Sequence, residues 1–310
     1  MDKANNTAVE EFILLAFSDL NELQIPLFFV TLLVYIMSVL GNFAIIFLVI
    51  AEPLLHTPMY FFISKLSVLE IMYVTCIVPN LLANLIADMK SISFGGCFIQ
   101  LFANSTLGTA ECYLFAVMAF DRDLAISKPL HYYAIMTKKL CVKLSVLPWI
   151  VGIINVSISI VFTANLEFCG PNEINHFFCE FPLLQSLACS HPFITQVVTI
   201  CGAFFGAAMP FIATVGLYTH IIIVICKINS AESKQKAFST LSSHLTVASL
   251  YYITVIVVHS VPKGTQYNKF IALIYTVIIP LLNPFIYAFR NKDIKKALIK
   301  LRRLKLCQGY

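Results

Sequence analysis

Seven long apolar segments dominate this sequence, and they constrain its fold more than any other feature. A helix needs about 20 residues to cross the hydrocarbon core of a bilayer, which is about 30 Å thick. The segments are Pro26–Ile50, Met59–Ile86, Phe98–Phe120, Leu140–Phe162, Gln196–Cys226, Ala237–Ser260 and Phe270–Phe289. Only 12% of the residues are charged, about half the usual share in soluble domains. The sequence therefore predicts an all-α membrane protein with a bundle of seven transmembrane helices.

The residues flanking these segments set the predicted domain organisation. The helices are expected at about 26–50, 59–86, 98–127, 140–162, 196–226, 236–260 and 268–289, and together they form a bundle over 26–289. The sixth segment looks weakest, because several polar residues lie in its first turns. An N-terminal stretch (1–25), a long loop (163–195) and a C-terminal tail (290–310) complete the chain.

The distribution of Lys and Arg predicts the orientation of the bundle. Of 21 such residues, sixteen fall on the side opposite the N-terminus, four fall on the same side, and Lys65 lies within the second segment. Cytoplasmic loops carry this excess, so we expect an extracellular N-terminus and a cytoplasmic C-terminus. Asn5, in an Asn-Asn-Thr sequon, would then be open to glycosylation. Because the net charge of +5 collects beside the membrane exits, it does not indicate nucleic-acid binding.

Cysteines and the basic tail support the same orientation. Four cysteines, an even number, fall on the outer side, where disulfides persist; they are Cys97, Cys169, Cys179 and Cys189. Three of them lie in the long loop, and Cys97 could pin that loop over the third helix. In the tail, Ile294, Leu298 and Leu301 share a helical face surrounded by basic residues, which favours a short amphipathic helix over a disordered tail. Cys307 is either palmitoylated or a free thiol.

Ionisable groups inside the predicted helices are the first candidates for function. Glu70 and Glu111 lie in mid-helix, where a charge costs at least about 2.5 kcal/mol. Asn42 and Asn283 lie at comparable depth. Two interpretations remain open: a shared polar core that holds Na⁺, water or a proton, or protonated glutamates bonded only to their neighbours.

The third helix carries the second group of candidates. It ends in Asp121-Arg122-Asp123, and an Arg–carboxylate cluster at a membrane exit can act as a switch. We expect a small-molecule cavity near the start of this helix and a partner-binding face at its end. A second moving part is predicted at Asn283-Pro284, followed by Tyr287, where proline bends the seventh helix.

Enzymatic and metal-dependent functions have little support. No phosphate-binding loop, HExxH or GxSxG motif occurs, so the sequence predicts a protein that is not an enzyme. His176, Cys179 and Glu180 lie close enough in sequence to bind copper or zinc. A disulfide at Cys179 would remove the thiolate that such a site needs.

Five motifs point to one family. They are Gly41-Asn42, LHTPMYFF (55–62), MAFDR (118–122), KAFST (236–240) with Ser243-His244-Leu245, and PLLNPFIY (280–287). Together they resemble the vertebrate olfactory receptors, a branch of the rhodopsin-like G-protein-coupled receptors. The sequence departs from the family pattern at Asp123, where DRY is expected, and at Leu241, where a cysteine is expected. The additional acid could tighten the resting state or weaken contact with a G protein.

The resemblance implies specific partners and site residues. The partners would be an odorant, membrane lipid and a heterotrimeric stimulatory G protein of the olfactory type that raises cyclic AMP. No cofactor is implied, apart from the Na⁺ considered above. The implied disulfides are Cys97–Cys179 and Cys169–Cys189. Residues implied in switching are Asp121, Arg122, Asp123, Tyr218, Lys236, His244, Asn283, Pro284 and Tyr287.

The candidate ligand-binding residues come from spacing and from the resemblance. Spacing places Asn104, Ser105, Gly108 and Thr109 on one face of the third helix. The resemblance adds Gly202, Ala203, Gly206, Tyr252, Val255, Ile256, His259, Leu273 and Thr276. Helix packing through small residues is the alternative for several of these positions. The outer half of the third helix has no acidic residue, which favours a neutral volatile ligand with one or two hydrogen-bonding groups.

Two further functions compete with an odorant receptor. A receptor of the same fold could respond to a metabolite or lipid, and only its site of expression would distinguish it. A transporter or channel is disfavoured, because the sequence shows no internal repeat.

Overall fold

The computed structural model describes residues 9–86, 91–169, 172–190, 192–263, 265–291 and 293–300. Long helices dominate these residues, in agreement with the predicted all-α membrane bundle. We label them α1 (Gln24–Ala51), α2 (Pro58–Ile86), α3 (Phe94–Ser127), α4 (Lys138–Ala164), α5 (Phe193–Cys226) and α6 (Ala231–Ser260). The last, α7, joins Gln266–Leu273, a π-helical turn at Ile274–Ile278, and Ile279–Arg290. A second π-helical turn, Phe204–Ala208, interrupts α5.

Several helices begin earlier than the apolar segments suggest, because polar residues cap them. The hydroxyl of Ser93 accepts a hydrogen bond from the Gly96 amide at 3.1 Å, and so starts α3 at Phe94. Ser230 caps α6 in the same way, through the Ser233 amide at 3.4 Å. A cap satisfies one of the free amides of the first turn, so a helix can extend beyond its apolar stretch.

The central helix of the bundle is α3, which contacts α2, α4, α5 and α6. Among the described residues, six helices are long and apolar enough to span a membrane, and α3 is not one of them. The expectation that the sixth segment is the weakest was therefore wrong. Polar residues of α3 such as Gln100, Glu111 and Asp121 are buried against other helices. A helix that faces protein rather than lipid need not be apolar all round.

A lid of loops covers the end of the bundle at which α3 begins. Strand β1 (Glu11–Leu14) pairs antiparallel with β2 (Ser91–Ser93) and parallel with β3 (Glu173–Ile174). The disulfides Cys97–Cys179 and Cys169–Cys189 are both present, which confirms the implied pairing. The first bridge fixes the long loop to the top of α3, so the loop lies over the helices.

The segment after β1 is fastened to α7. The Nζ of Lys269 donates a hydrogen bond to the Ala16 carbonyl at 2.7 Å and lies 3.7 Å from an oxygen of Asp19. Gln266 donates to the same Asp19 carboxylate at 2.6 Å. These contacts close the lid on the side of α7.

The tail forms a helix over 293–300. The Asn291 side chain accepts hydrogen bonds from the amides of residues 293 and 294, and so caps this helix. Ile294 is buried, whereas Leu298 is 41% exposed, so the two predicted apolar positions differ in their contact with the bundle. Leu301, Cys307 and Asn5 lie outside the described residues.

Candidate functional site: a cavity and a charged cluster at the two ends of one helix

A cavity of about 380 Å³ lies beneath the lid, among α3, α4, α5, α6 and α7. All four candidates from the face of α3 lie on its wall. The predicted residues that line it are Asn104, Ser105, Gly108, Thr109, Gly202, Ala203, Gly206, Val255 and His259. Most of the wall is apolar, as expected for a small-molecule site.

The structure places four other candidates away from this wall. The hydroxyl of Tyr252 points past the cavity and donates to the Cys112 carbonyl at 3.0 Å. Ile256 is 50% exposed on the outside of the bundle. Thr276 is buried and donates to the carbonyl of Ala272 within its own helix at 2.8 Å. Leu273 packs against the apolar core instead.

Helical periodicity explains the difference on α6. Val255 and His259 line the cavity, and one turn before Val255 the same face carries Tyr251. Residues four apart share a helix face, whereas Tyr252 and Ile256 are rotated by about 100° from it. The spacing of Val255 and His259 could therefore have identified Tyr251.

Two glycines of the cavity wall, Gly206 of α5 and Gly108 of α3, differ in the room around them. A Cβ on Gly206 would lie 2.9 Å from the Asn155 amide nitrogen and 3.0 Å from the Thr109 hydroxyl. A Cβ on Gly108 would have only the Tyr275 hydroxyl nearby, at 3.7 Å. Gly206 thus allows α3, α4 and α5 to approach closely, whereas an added Cβ at Gly108 would make only an ordinary van der Waals contact.

The mouth of the cavity contains charged residues that lie outside α3. Glu180, from the long loop, pairs through Oε2 with the Nζ of Lys263 at 2.7 Å, and both residues line the cavity. Burial would raise the pKa of Glu180, but the nearby His176, Lys263 and His259 outweigh it and hold the pKa below its usual value. The cavity therefore does contain a carboxylate, and a lysine neutralises it.

The copper or zinc site at His176, Cys179 and Glu180 lacks a free thiolate, because Cys179 is held in a disulfide.

His176 lies buried in the lid beside this pair. Its ring stacks on Phe177 with centroids 4.7 Å apart, and its Nε2 lies 3.5 Å from Glu180. Burial lowers the pKa of His176 to about 4, against the attraction of Glu180, which raises it. The imidazole is therefore neutral at neutral pH.

At the opposite end of α3, Arg122 and Asp121 form an ion pair. The Nε of Arg122 lies 2.9 Å from Asp121 Oδ2, and Tyr132 donates its hydroxyl hydrogen to Asp121 Oδ1 at 2.6 Å. Tyr132 begins a short helix (Tyr132–Ile135) between α3 and α4, and no sequence motif indicated its role. Asp123 turns away from this cluster and contacts His220 of α5, with Oδ1 and Nδ1 2.6 Å apart. One helix thus connects the cavity to a charged cluster at the far end.

Comparison with known proteins identifies the family. The family described as "Olfactory receptor" matches residues 31–305, nearly the whole chain. This chain belongs to the olfactory receptor family. It is 42% identical to human olfactory receptor 2G3 over 310 residues, which cover 99% of this chain and 100% of the relative. It is 43% identical to mouse olfactory receptor 2B6 over 304 residues, 97% of each chain.

Family membership settles the broad function. The chain is an odorant receptor and not an enzyme, and it is a multi-pass protein of the plasma membrane.

In this receptor the two buried glutamates lie together. Glu70 and Glu111 are hydrogen-bonded to each other, and the Asn283 amide donates to Glu70. Asn42 does not join them: its amide donates to the carbonyls of Ser38 and Pro280, both at 3.1 Å. The Asn42 amide thereby supplies a hydrogen-bond donor to a backbone carbonyl in the part of α7 where proline disrupts the helical hydrogen bonds.

The remaining switch candidates lie on α5, α6 and α7. The rings of His244 and Tyr287 are 5.5 Å apart, and both residues are buried. Tyr218 of α5 is buried as well. Pro284 lies close to Gly41, where an added Cβ would be 3.1 Å from the proline ring. The side chain of Lys236 lies outside the described part of the receptor.

Proposed function

We propose that this odorant receptor binds a small, neutral volatile molecule in the outer cavity and activates a stimulatory G protein, raising cyclic AMP. The observation that carries the proposal is the course of α3. Its outer half lines the cavity through Asn104 and Thr109, and its inner end holds the Asp121–Arg122 pair. A shift of α3 caused by a ligand would therefore reach that pair directly.

The proposed orientation has the N-terminus and the lid outside the cell. Two disulfides in and beneath the lid support it, because disulfides persist in oxidising compartments. The excess of Lys and Arg at the opposite end supports it as well.

The size of the cavity limits the affinity. A ligand of about ten heavy atoms, at roughly 0.5–0.8 kcal/mol each, gains about 5–8 kcal/mol. This corresponds to a dissociation constant in the micromolar range or weaker. Weak binding suits a sensor that must release its ligand quickly.

In the proposed mechanism, Arg122 is the residue that changes partner. At rest it is held by Asp121, which is also bound by Tyr132. When the ligand repacks the outer ends of the helices, the guanidinium leaves Asp121 and becomes available to the G protein.

We also propose that the Glu70–Glu111 pair holds a proton or a Na⁺ ion. Two carboxylates in hydrogen-bonding contact cannot both be charged in a buried site without such a partner. Sodium-dependent stability of the purified receptor would indicate the ion. The proton would be indicated if the stability does not depend on sodium and if Glu111→Gln is as stable as the wild type.

A cyclic AMP screen against a broad odorant panel tests the main proposal. For an oxygenated odorant that activates the receptor, Asn104→Leu and Thr109→Val should each lower potency. Arg122→Ala should abolish signalling and leave odorant binding intact. Ile256→Ala, on the outside of the bundle, is the matched control and should change neither. Unaltered dose–response curves for the two cavity variants at normal surface expression would refute the placement of the ligand. Signalling that survives Arg122→Ala would refute the mechanism.

A further inference from the structure

Several polar groups around the cavity already have partners. Tyr251 donates its hydroxyl hydrogen to the Gly108 carbonyl at 3.1 Å. The Asn155 amide donates to the Gly202 carbonyl at 3.0 Å. A ligand would have to break these hydrogen bonds to use either group.

His259, at the mouth, presents a free acceptor. Its Nδ1 lies 2.8 Å from the Val255 carbonyl oxygen, one turn back along α6. A carbonyl oxygen can only accept, so Nδ1 must carry the hydrogen. In the neutral form of the ring, which has a single N–H, Nε2 then has a lone pair. His259 is an exposed residue that lines the cavity, so a ligand in the cavity can reach its ring.

Lys263, at the same mouth, presents free donors. An ammonium group has three N–H bonds, and Glu180 takes one of them through the 2.7 Å contact. Two remain for a ligand or water. The Glu180 carboxylate is shared between Lys263 and His176, so the charge at the mouth is balanced before any ligand arrives.

We propose that the odorant is an alcohol or phenol whose hydroxyl group binds at the mouth, donating to His259 and accepting from Lys263. Its apolar body would extend toward Gly108 and Tyr251. This inference rests on the proposed function and names the ligand class of the same site. A hydroxyl is the smallest neutral group that both donates and accepts. Ketones, esters and ethers offer no donor to His259.

Charged ligands fit this mouth poorly. A carboxylate would add a second negative charge beside Glu180, and would face the lone pair of His259. An ammonium would add a second positive charge beside Lys263. Like charges at such distances disfavour binding when water is partly excluded.

The test measures binding to purified full-length receptor in lipid nanodiscs, with no G protein present. The probes are alcohols, the methyl ethers of the same alcohols, and the carboxylic acids of matching chain length. Ligand-induced thermal stabilisation gives the apparent affinity. Each alcohol that binds should bind about tenfold more tightly than its ether, the effect of about one hydrogen bond.

Variants of His259 separate hydrogen bonding from shape. His259→Phe keeps a ring and removes the acceptor, so the affinity for the alcohol should fall by about tenfold, to that for the ether. The affinity for the ether should stay the same. His259→Gln returns an acceptor oxygen and should restore part of the preference. Ser260→Ala, at the neighbouring exposed position, is the matched control and should have no effect.

Three results would overturn the inference. They are equal binding of alcohols and ethers by the wild type, equal weakening of both by His259→Phe, and tightest binding by a carboxylic acid. Failure of every alcohol to bind would overturn it too. Because the assay contains no G protein, a receptor that binds alcohols without raising cyclic AMP in cells would refute the proposed signalling and leave this inference standing.

Discussion

The contact between Asp123 and His220 leads to a prediction about basal activity. The two side chains join the inner ends of α3 and α5, with Oδ1 and Nδ1 2.6 Å apart. Asp123 occupies the position at which this chain departs from the DRY pattern. Since the acid pairs with α5 rather than with Arg122, we expect it to hold α3 and α5 together in the resting receptor.

The size of the effect follows from the exposure of the pair. The side chain of Asp123 is 13% exposed and that of His220 is 55% exposed. A pair with one exposed partner is weaker than a buried pair, so we take about 1 kcal/mol as the free energy that this contact contributes. If activation separates these helix ends, removing the contact favours the active state by that amount. The ratio of active to resting receptor should then rise about fivefold.

Ligand-free cyclic AMP, normalised to surface expression, measures this ratio. Asp123→Ala and His220→Ala should each raise it about fivefold, and the double variant should raise it no further, because both remove the same contact. Asp123→Tyr, which restores the family residue, should also change it. The exchanged pair, Asp123→His with His220→Asp, should return it toward the wild-type level. Unchanged basal signal in both alanine variants, or fully additive effects in the double variant, would show that the contact does not restrain the receptor.

Three more predictions concern the lid, the cavity wall and the resting cluster. In the folded receptor the pKa of His176 is about 4, below its ordinary value of 6.5, so protonation of this histidine favours the unfolded lid. The free energy of unfolding, measured by thermal unfolding, should therefore fall by about 2 kcal/mol between pH 7.4 and 5. Gly206→Ala should destabilise the purified receptor by about 1–3 kcal/mol through overpacking, whereas Gly108→Ala should have little effect. Tyr132→Phe removes a 2.6 Å hydrogen bond to Asp121 and should raise basal cyclic AMP several-fold.

Matched measurements decide these three cases. His176→Phe should flatten the acid dependence, and an unchanged dependence would assign it to other groups. Equal melting temperatures for Gly206→Ala and Gly108→Ala would mean that the close approach at Gly206 is relieved by small shifts. A Tyr132→Phe receptor with wild-type basal signal would show that Arg122 and Asp121 hold each other without the tyrosine.

Some of the site could be predicted because it depends on one helix alone. Asn104, Ser105, Gly108 and Thr109 share a face of α3 by their spacing, and all four line the cavity. On α6 the resemblance supplied positions without fixing how the helix is rotated. The structure accordingly brings Tyr251 to the cavity, where position 252 was expected.

The sequence by itself determined that this chain crosses the membrane as a helical bundle, because the apolar length of a segment is a local property of the chain. It also determined the family, through motifs that are short and contiguous. Only the tertiary structure decided which side chains meet across helices and loops: Glu180 with Lys263, Tyr132 with Asp121, and Asp123 with His220. The physical reason is that a periodic pattern gives the face of a helix, whereas depth, rotation and partner arise when helices pack against one another.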